Sequence, residues 1–575
     1  MKQIRHKVDF CVIGGGLAGM CAAIAAARRG VRVALMHDRP VLGGNASSEI
    51  RMWICGAAGA ANRETGIIEE IQLENLYRNN PPTYAVWDSI LYEFARFEPN
   101  ITLLLNCVCL EAEMAGNRIR SVKGRQLTTE TWHTVESNLY ADCSGDSILA
   151  PLSGAEYRVG REARAEFNED IEPLPADKKT MGMSCLLQAA ETGRPQIFIP
   201  PKWAAVFKSD DDLPLRNHDL TPTSNFWWIE LGGENDSIHD TETLRDELLK
   251  ITYGVWDHIK NHGNHGADNW VLDWVGFLPG KRESRRYVGD VIMNQNDVLA
   301  ATGHFEDIIA YGGWPMDDHH PAGFRHPGTP TIFHPAPSPY GIPYRCLYSR
   351  NVENLFCAGR NISVSHAALS STRVMATCAT LGQAAGTAAA IACREMKMPR
   401  NLFPDSISEL QQTLMEDDCY LPWQRREMPA LTRRAKLSAS KCDPEPLRNG
   451  VDRPVENNDN GWNGSFSDWI EYSFERVEHI REARFVFDSD LNKRPLNMPC
   501  HRILHPEKRA LPARLMRNFR LEIRTADGWK IAAQVRDNTR RMARIPINLD
   551  TNAIRFHPEL TWGADNVHLF AWDIR

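Results

Sequence analysis

Apolar residues fall into dense short runs near residues 8–36 and 354–397, and into alternating or helical patterns elsewhere. Phe10–Ile13 is a continuous apolar run with β-branched residues, which suits a strand buried on both faces. Glycines follow it, then the alanine-rich stretch Ala18–Arg29, which stops at Gly30, and a second apolar run, Val31–Met36. Arg63–Arg78 carries Ile67, Ile68, Ile71, Leu73 and Leu76 at helical spacing, and Trp87–Phe97 predicts a further short helix. Ile101–Glu113 and Arg118–Arg125 alternate as paired strands around Gly116-Asn117, and Thr131–Tyr140 extends that meander.

From about residue 151 to 345 the periodicity is poor, and Trp, His, Pro and Asp are frequent. Thr243–His262 is the one clear amphipathic helix there. Asn354–Lys397 restores order with an apolar strand, a loop and a long helix of small residues, and Leu402–Asp418 predicts another helix. Beyond Pro429 the character changes to short alternating strands, such as Asp468–Phe474, Ala483–Asp488 and Phe519–Arg524, separated by turns.

At 575 residues the chain is too long for one core, and two or three domains are expected. A net charge of −7 with no basic block predicts no nucleic-acid partner. No stretch approaches the roughly 20 apolar residues of a membrane span, so no membrane partner is expected. Lys2, Arg5 and Lys7 before an apolar run imitate a signal peptide. The run is the first strand and helix of a nucleotide fold, however, and a cytoplasmic enzyme is the expectation. Fourteen scattered cysteines without a C-x-x-C pair read as free buried thiols and argue against a redox-active disulfide. Nothing in the pattern sets an oligomeric state.

The glycines carry the first chemistry. Gly14-Gly15-Gly16-Leu17-Ala18-Gly19 is G-x-G-x-x-G, framed by a strand before it, a helix after it and a second strand on schedule. Gly14 permits the turn, Gly16 lets a pyrophosphate approach the backbone and Gly19 lets the helix pack on the strand. The helix N-terminus favours the anion. Gly43-Gly44 after the second strand and the strand ending in Ala358-Gly359-Arg360 favour FAD over a nicotinamide cofactor. With these blocks in place, the chain resembles the FAD-dependent oxidoreductases that have a glutathione-reductase-type FAD fold. In particular it is similar to the family with the segments Gly43–Glu49, Arg282–Arg286 and Ala358–Gly386, over roughly residues 8–400.

The resemblance implies an α/β fold. A Rossmann-like FAD-binding domain over 1–150 returns over 346–428, and an α+β substrate domain is inserted over 151–345. The strand order after 429 resembles a discoidin-like, galactose-binding-type β-sandwich over 429–575, with a structural role expected ahead of glycan binding. Implied cofactor contacts are Gly14, Gly16, Leu17, Ala18 and Gly19; Gly43, Gly44, Asn45 and Ser48; Val108; Ser144, Gly145 and Asp146; Gly359 and Arg360; and Ser371 and Thr372. The fold normally ends its second strand with an acidic residue for the adenosine ribose. Here His37 stands there with Asp38 beside it, and either can serve.

For catalysis, His366 sits where the resembling chain passes the flavin edge and is the candidate base for a hydroxyl proton. Arg373 adds positive charge near a helix N-terminus expected around Ser370–Arg373, and the other reading pairs it with a carboxylate. His319 is a third candidate. Asp317, Asp318, His319 and His320 look like metal ligands, but neighbours on an extended chain point apart, and no metal is expected. The leading expectation is hydride transfer to flavin N5 from a C–OH of a small polar substrate, with a carbohydrate or glycoside first. The alternative is an enzyme acting on an unsaturated carboxylic acid, with Arg282 or Arg285 as the clamp. A different class, an RNA-modifying or carbohydrate-binding protein with secondary FAD, is weighed beside these.

Overall fold

The apolar run Phe10–Ile13 is the inner half of a 12-residue strand, β1 (Lys2–Ile13), in a computed structural model of the chain. It describes residues 2–220, 225–301, 304–493, 500 and 510–575. The polar first half, Lys2–Lys7, belongs to the strand because it pairs with β6 (Thr131–Asp142) along its length, from Lys2 opposite Thr131 to Ile13 opposite Asp142. After α1 (Leu17–Ala27) come β2 (Val33–Met36), α2 (Tyr84–Arg96), β3 (Ile101–Leu104), β4 (Cys107–Ala115) and β5 (Arg118–Gln126). The sheet runs β3-β2-β1-β6-β5-β4, and a last strand, β7 (Leu355–Cys357), pairs with β6.

The meander divides differently from its alternation pattern. Ile101–Glu113 is not one strand: Asn106 takes a positive φ of 53°, and the chain breaks there. β3 lies parallel to β2, and only β4 and β5 form the hairpin. Alternation alone does not show whether a strand's partner is local, because both faces look the same in either sheet. β6 pairs with β5 over Thr131–Glu136 and with β7 over Tyr140–Asp142, so it serves the meander at one end and the parallel sheet at the other. β1, β2, β6 and β7 all end at the same side, where ligands bind in open parallel sheets.

Two helices close the return segment. α4 (His366–Thr372) and α5 (Met375–Glu395) are bent by 95° at Arg373-Val374. Among the described residues, no single helix is long and apolar enough to cross a membrane. α5 packs hard on α1: a Cβ on Gly382 would come within 2.0 Å of the Ala18 carbonyl oxygen, and one on Gly386 within 2.1 Å of that of Ala22. In the middle region, the expected amphipathic helix is α3 (Thr241–Asp257), followed by a π-helical turn, His258–His262. Leu248, Val255 and Trp256 of α3 join Trp228, Phe226 and Met183 in a core of their own.

The chain forms two compact units, residues 2–58 with 81–410, and residues 59–80 with the described parts of 411–493 and 510–575. This differs from a break at 429. The helix Ile67–Arg78, expected in the nucleotide domain, places Leu73 and Leu76 in the core of the second unit with Trp462, Phe485, Phe519 and Trp572. Residues 494–499 and 501–509 of the expected sandwich lie outside the described residues. Its strands form an antiparallel network with Ile470–Phe487 and Met542–Thr561 at the centre.

Candidate active site

A cavity of about 510 Å³ opens at the ends of β1, β2, β6 and β7. One wall is backbone. The three glycines of the first turn have distinct reasons to be glycine. A Cβ on Gly14, at a φ of 103°, would strike the Cys143 carbonyl oxygen at 2.4 Å, and one on Gly19 would strike that of Gly14 at 1.8 Å. On Gly16 the nearest atom would be Gly44 Cα at 3.8 Å, so its missing side chain leaves room in the cavity rather than in the fold. Gly16 and Gly43 bridge, and the Gly43 N–H donates to the Gly15 carbonyl at 2.8 Å, which draws the two glycine loops together.

His37 holds this corner rather than offering itself to a ligand. Burial keeps its ring below the usual histidine pKa, so it is neutral. Nδ1 accepts from the Gly15 N–H at 3.0 Å, and Nε2 then donates to the Val41 carbonyl at 3.0 Å. Both nitrogens are used. Asp38 lines the same cavity with a side chain half-exposed, and is the carboxylate available for ribose hydroxyls.

The loop after β6 forms the opposite wall. Asp142 is fully buried and accepts from Ser144 Oγ (2.7 Å), Tyr287 Oη (2.7 Å) and the Leu149 N–H (2.8 Å), which fixes the loop's path. Asp146 then gathers Lys281, Ser284 and Arg360, each at 2.8 Å. Burial opposes its charge, but Arg360 and Lys281 hold its carboxyl below the usual range. Arg360 keeps Nε buried and without a hydrogen-bond partner, a donor left over at the cavity edge.

Beyond the cradle the cavity runs on to charged and aromatic side chains: Arg282, Asp317, His319, Arg373, Trp227 and Trp314. His319 Nδ1 is 2.6 Å from Glu230 Oε2, and its Nε2 is 3.2 Å from Asp317 Oδ2. Arg373 donates to the same Asp317 oxygen at 3.0 Å, and Arg282 lies 3.4 Å from Glu230. Burial works against both carboxylates, but Arg282 and His319 hold Glu230 below the usual range, and His319 and Arg373 do the same for Asp317. Two guanidinium groups thus face two carboxylates around one imidazole. Arg373 Nε and Trp314 Nε1 are buried without partners.

A family model described as FAD dependent oxidoreductase matches residues 9–414, which hold the whole cavity and all of the sheet but the first part of β1, Lys2–Val8. The chain belongs to the FAD dependent oxidoreductase family. FAD is its cofactor, and the cradle fits it: a glycine wall with room at Gly16, a half-exposed carboxylate at Asp38 and a spare donor at Arg360. No curated protein matches the chain. Among solved structures it is similar to a geranylgeranyl bacteriochlorophyll reductase-like protein of Thermoplasma acidophilum, at 11% identity and a TM-score of 0.32, covering 72% of this chain and 86% of that one. It is also similar to the myxobacterial FAD-dependent chondrochloren halogenase CndH, at 16% identity and 0.23, covering 34% and 46%. A family 32 carbohydrate-binding module from Streptococcus pneumoniae EndoD matches at 14% and 0.19, covering 24% and 94%. At such scores these likenesses speak neither to substrate nor to reaction.

In this FAD-dependent oxidoreductase most of the expected cofactor residues line the cavity: Gly14, Gly16, Leu17, Ala18, His37, Asp38, Gly43, Gly44, Asn45, Ser144, Gly145, Asp146, Gly359 and Arg360. Others do not. Gly19 is a packing glycine. The Ser48 N–H turns to Asp88 at 3.2 Å, while its neighbours Ser47 and Glu49 line the wall. Val108 pairs with Arg125 inside the hairpin. Ser371 bonds Tyr340 at 2.6 Å inside α4, and Thr372 is buried beside it, because the helix break lies after them. The N-terminus at the cavity is that of α5, at Val374-Met375, and Arg373 is the C-cap of α4.

His366 is also displaced from its expected role. It is buried behind the wall, with Nδ1 2.9 Å from Glu283 and Nε2 3.3 Å from Asp318. Burial opposes its charge, yet Glu283 and Asp318 raise its pKa well above the usual value, so it is an imidazolium with no free nitrogen. Arg286 joins this layer, fully buried against Glu162 at 3.2 Å. Arg285 lies over the Tyr157 ring at 5.4 Å and is absent from the cavity wall. All fourteen cysteines are free thiols. Glu230, Lys281, Trp227 and Trp314 are not named as site residues from the sequence, although Lys281 and Trp314 fall in the two stretches richest in chemistry, Gly280–Asp290 and Tyr311–His320.

Proposed function

We propose that this flavoprotein oxidises a C–OH group of a small neutral polyhydroxy substrate, a carbohydrate or glycoside, to a carbonyl. The observation that carries this reading is the charge balance at the far end of the cavity. Arg282 and Arg373 are each paired with a carboxylate, Glu230 and Asp317. A carboxylate substrate would have to displace one of these partners and bury an unpaired charge, which is costly. A neutral polyol meets hydrogen-bonding groups and aromatic faces without that cost. Arg373 Nε and Trp314 Nε1 are donors for its hydroxyls, and Trp227 offers an apolar face.

FAD, when bound, supplies acceptance of a hydride with its two electrons. The chain's own part is to take the hydroxyl proton and aim the carbon. His319 is the group for the proton: Glu230 accepts from Nδ1–H, and a substrate hydroxyl that takes the place of Asp317 Oδ2, 3.2 Å from Nε2, hands its proton to that nitrogen. Asp317 holds Arg373 and the imidazole in register. For the second unit we keep the reading of a discoidin-like sandwich with a structural role, on its strand pattern.

The test is anaerobic bleaching of the oxidised-flavin absorbance by a panel of neutral glycosides and polyols beside saturated and unsaturated carboxylic acids. Bleaching by a neutral glycoside is the expected result. Redox change with acids alone would overturn the reading.

A further inference from the structure

Four side chains that the flavin site does not use converge elsewhere in the first unit. Asp210 opens the short 3-10 turn Asp210–Asp212, and His218 follows in the same loop. His258 is the first residue past α3, at the start of the π-helical turn, and His265 lies just beyond that turn. One ligand atom from each lies within 4.8 Å of all the others. His258 Nε2 is 3.0 Å from Asp210 Oδ1 and 3.1 Å from His265 Nε2. The same Asp210 oxygen is 3.2 Å from His265 Nε2 and 3.9 Å from His218 Nδ1. Around a tetrahedral ion with metal–nitrogen distances of about 2.0–2.1 Å, neighbouring ligand atoms stand roughly 3.3 Å apart. Asp210, His258 and His265 already have that spacing, and His218 Nδ1 closes on it from 3.9 Å.

The hydrogen bookkeeping points the same way. His258 Nδ1 is 3.1 Å from the Phe207 carbonyl, which can only accept, so Nδ1 carries the proton. In the neutral ring Nε2 is then a lone pair, and it faces a carboxylate oxygen and another imidazole nitrogen. A proton at Nε2 would satisfy one of these contacts; a cation between them satisfies all. His218 turns Nδ1 to the same Asp210 oxygen. The Phe207 carbonyl plays the part of the outer partner that orients a metal-bound histidine. His258 is fully buried, His218 and His265 are partly buried, and Asp210 is exposed, which leaves an entry path from solvent.

We propose that Asp210, His218, His258 and His265 bind one divalent transition-metal ion, of which zinc suits three imidazoles and a carboxylate. Four protein ligands close the coordination sphere, which is the structural rather than the catalytic pattern. The ion ties the loop carrying Asp210 and His218 to the end of α3, whose Trp256 and Val255 stand in the core. A rare π-helical turn at the buried ligand fits a site of this kind.

The experiment uses the full-length flavoprotein. Metal content is measured as purified; the protein is then stripped with a chelator and titrated with Co2+ as a spectroscopic probe. The expected result is one equivalent bound, with tetrahedral d–d bands to the red of the flavin absorption, displaced by one equivalent of Zn2+. His258→Gln should abolish stoichiometric binding. Should that buried variant fail to fold, Asp210→Asn at the exposed rim and His265→Gln test the site without it. Each should weaken Zn2+ binding by at least the roughly 10- to 100-fold that loss of an outer-shell partner costs. Absence of stoichiometric metal, or binding that Asp210→Asn and His265→Gln leave unchanged, would overturn the proposal.

Discussion

The two ends of the flavin cavity are built from different materials. The cradle is backbone: glycine loops after β1 and β2, drawn together by main-chain hydrogen bonds, with one buried histidine as a clip. The far end is side chain: Glu230, Arg282, Asp317, His319 and Arg373, brought from four separate segments and held by their mutual charge. A backbone site tolerates little change in shape but has no charge to lose. A side-chain site tolerates changes of shape but fails when one charge is left without its partner.

The largest expected effect tests the cradle. Gly16→Val should abolish FAD binding while the chain still folds, since a Cβ there meets no protein atom closer than 3.8 Å. Flavin content after gel filtration, with circular dichroism as the folding check, reads both halves. A yellow Gly16→Val protein would end the assignment of that wall to the pyrophosphate.

Next in size is the far end. His319→Asn should retain FAD but slow anaerobic flavin reduction by the substrate on the order of 100- to 10,000-fold, the usual range for a positioned base. Glu230→Gln should fall between this variant and wild type, because it loosens the ring's orientation and leaves the ring in place. Equal rates in all three would remove the imidazole from the reaction and leave the comparison without its chemical half.

His366 sharpens the contrast from behind the wall. As an imidazolium between Glu283 and Asp318 it is a positioning residue. His366→Asn removes the cation between Glu283 and Asp318, leaves Glu283 with Arg286 at 3.5 Å, and should cost at most about 3–5 kcal/mol of stability. Thermal melting should drop accordingly, while the pH profile of flavin reduction in the surviving protein stays as in wild type. A lost pH limb with unchanged melting would return His366 to the proton path.

How much of this was legible follows from the same contrast. The cradle was readable because its determinants lie within a few residues of one another: Gly14–Gly19, Gly43-Gly44 and Ser144–Asp146 each mark a loop by themselves. His366 was misread for a physical reason. A histidine in a loop looks the same whether its ring faces a cavity or two buried carboxylates, and Glu283 and Asp318 are 83 and 48 residues away. The four-ligand cluster was missed likewise. Ligand spacing in a sequence marks neighbours such as 317–320, whereas Asp210 and His258 are 48 residues apart and meet only through α3. The helix Ile67–Arg78 was recognised by its periodicity but assigned to the wrong unit, since periodicity gives a face and not the partner of that face.

The smallest expected effect isolates one group in the charged layer. Glu172 is buried, and neither of its carboxylate oxygens makes a hydrogen bond. Burial raises its pKa to about 7, with Glu169 and Glu162 pushing the same way and His366 opposing. The folded chain therefore holds a proton there that the unfolded chain releases near pH 4.5. Stability from this group is full below that pH and is lost as pH rises toward 7, with the loss complete above it. Gln cannot ionise, so Glu172→Gln should match wild type at pH 4.5 and exceed it at pH 8, by on the order of 3 kcal/mol at most. The measurement is the difference in melting temperature between the two proteins at each pH. A difference that is the same at both pH values would mean that Glu172 ionises normally. The layer behind the wall would then be wetter than its burial implies.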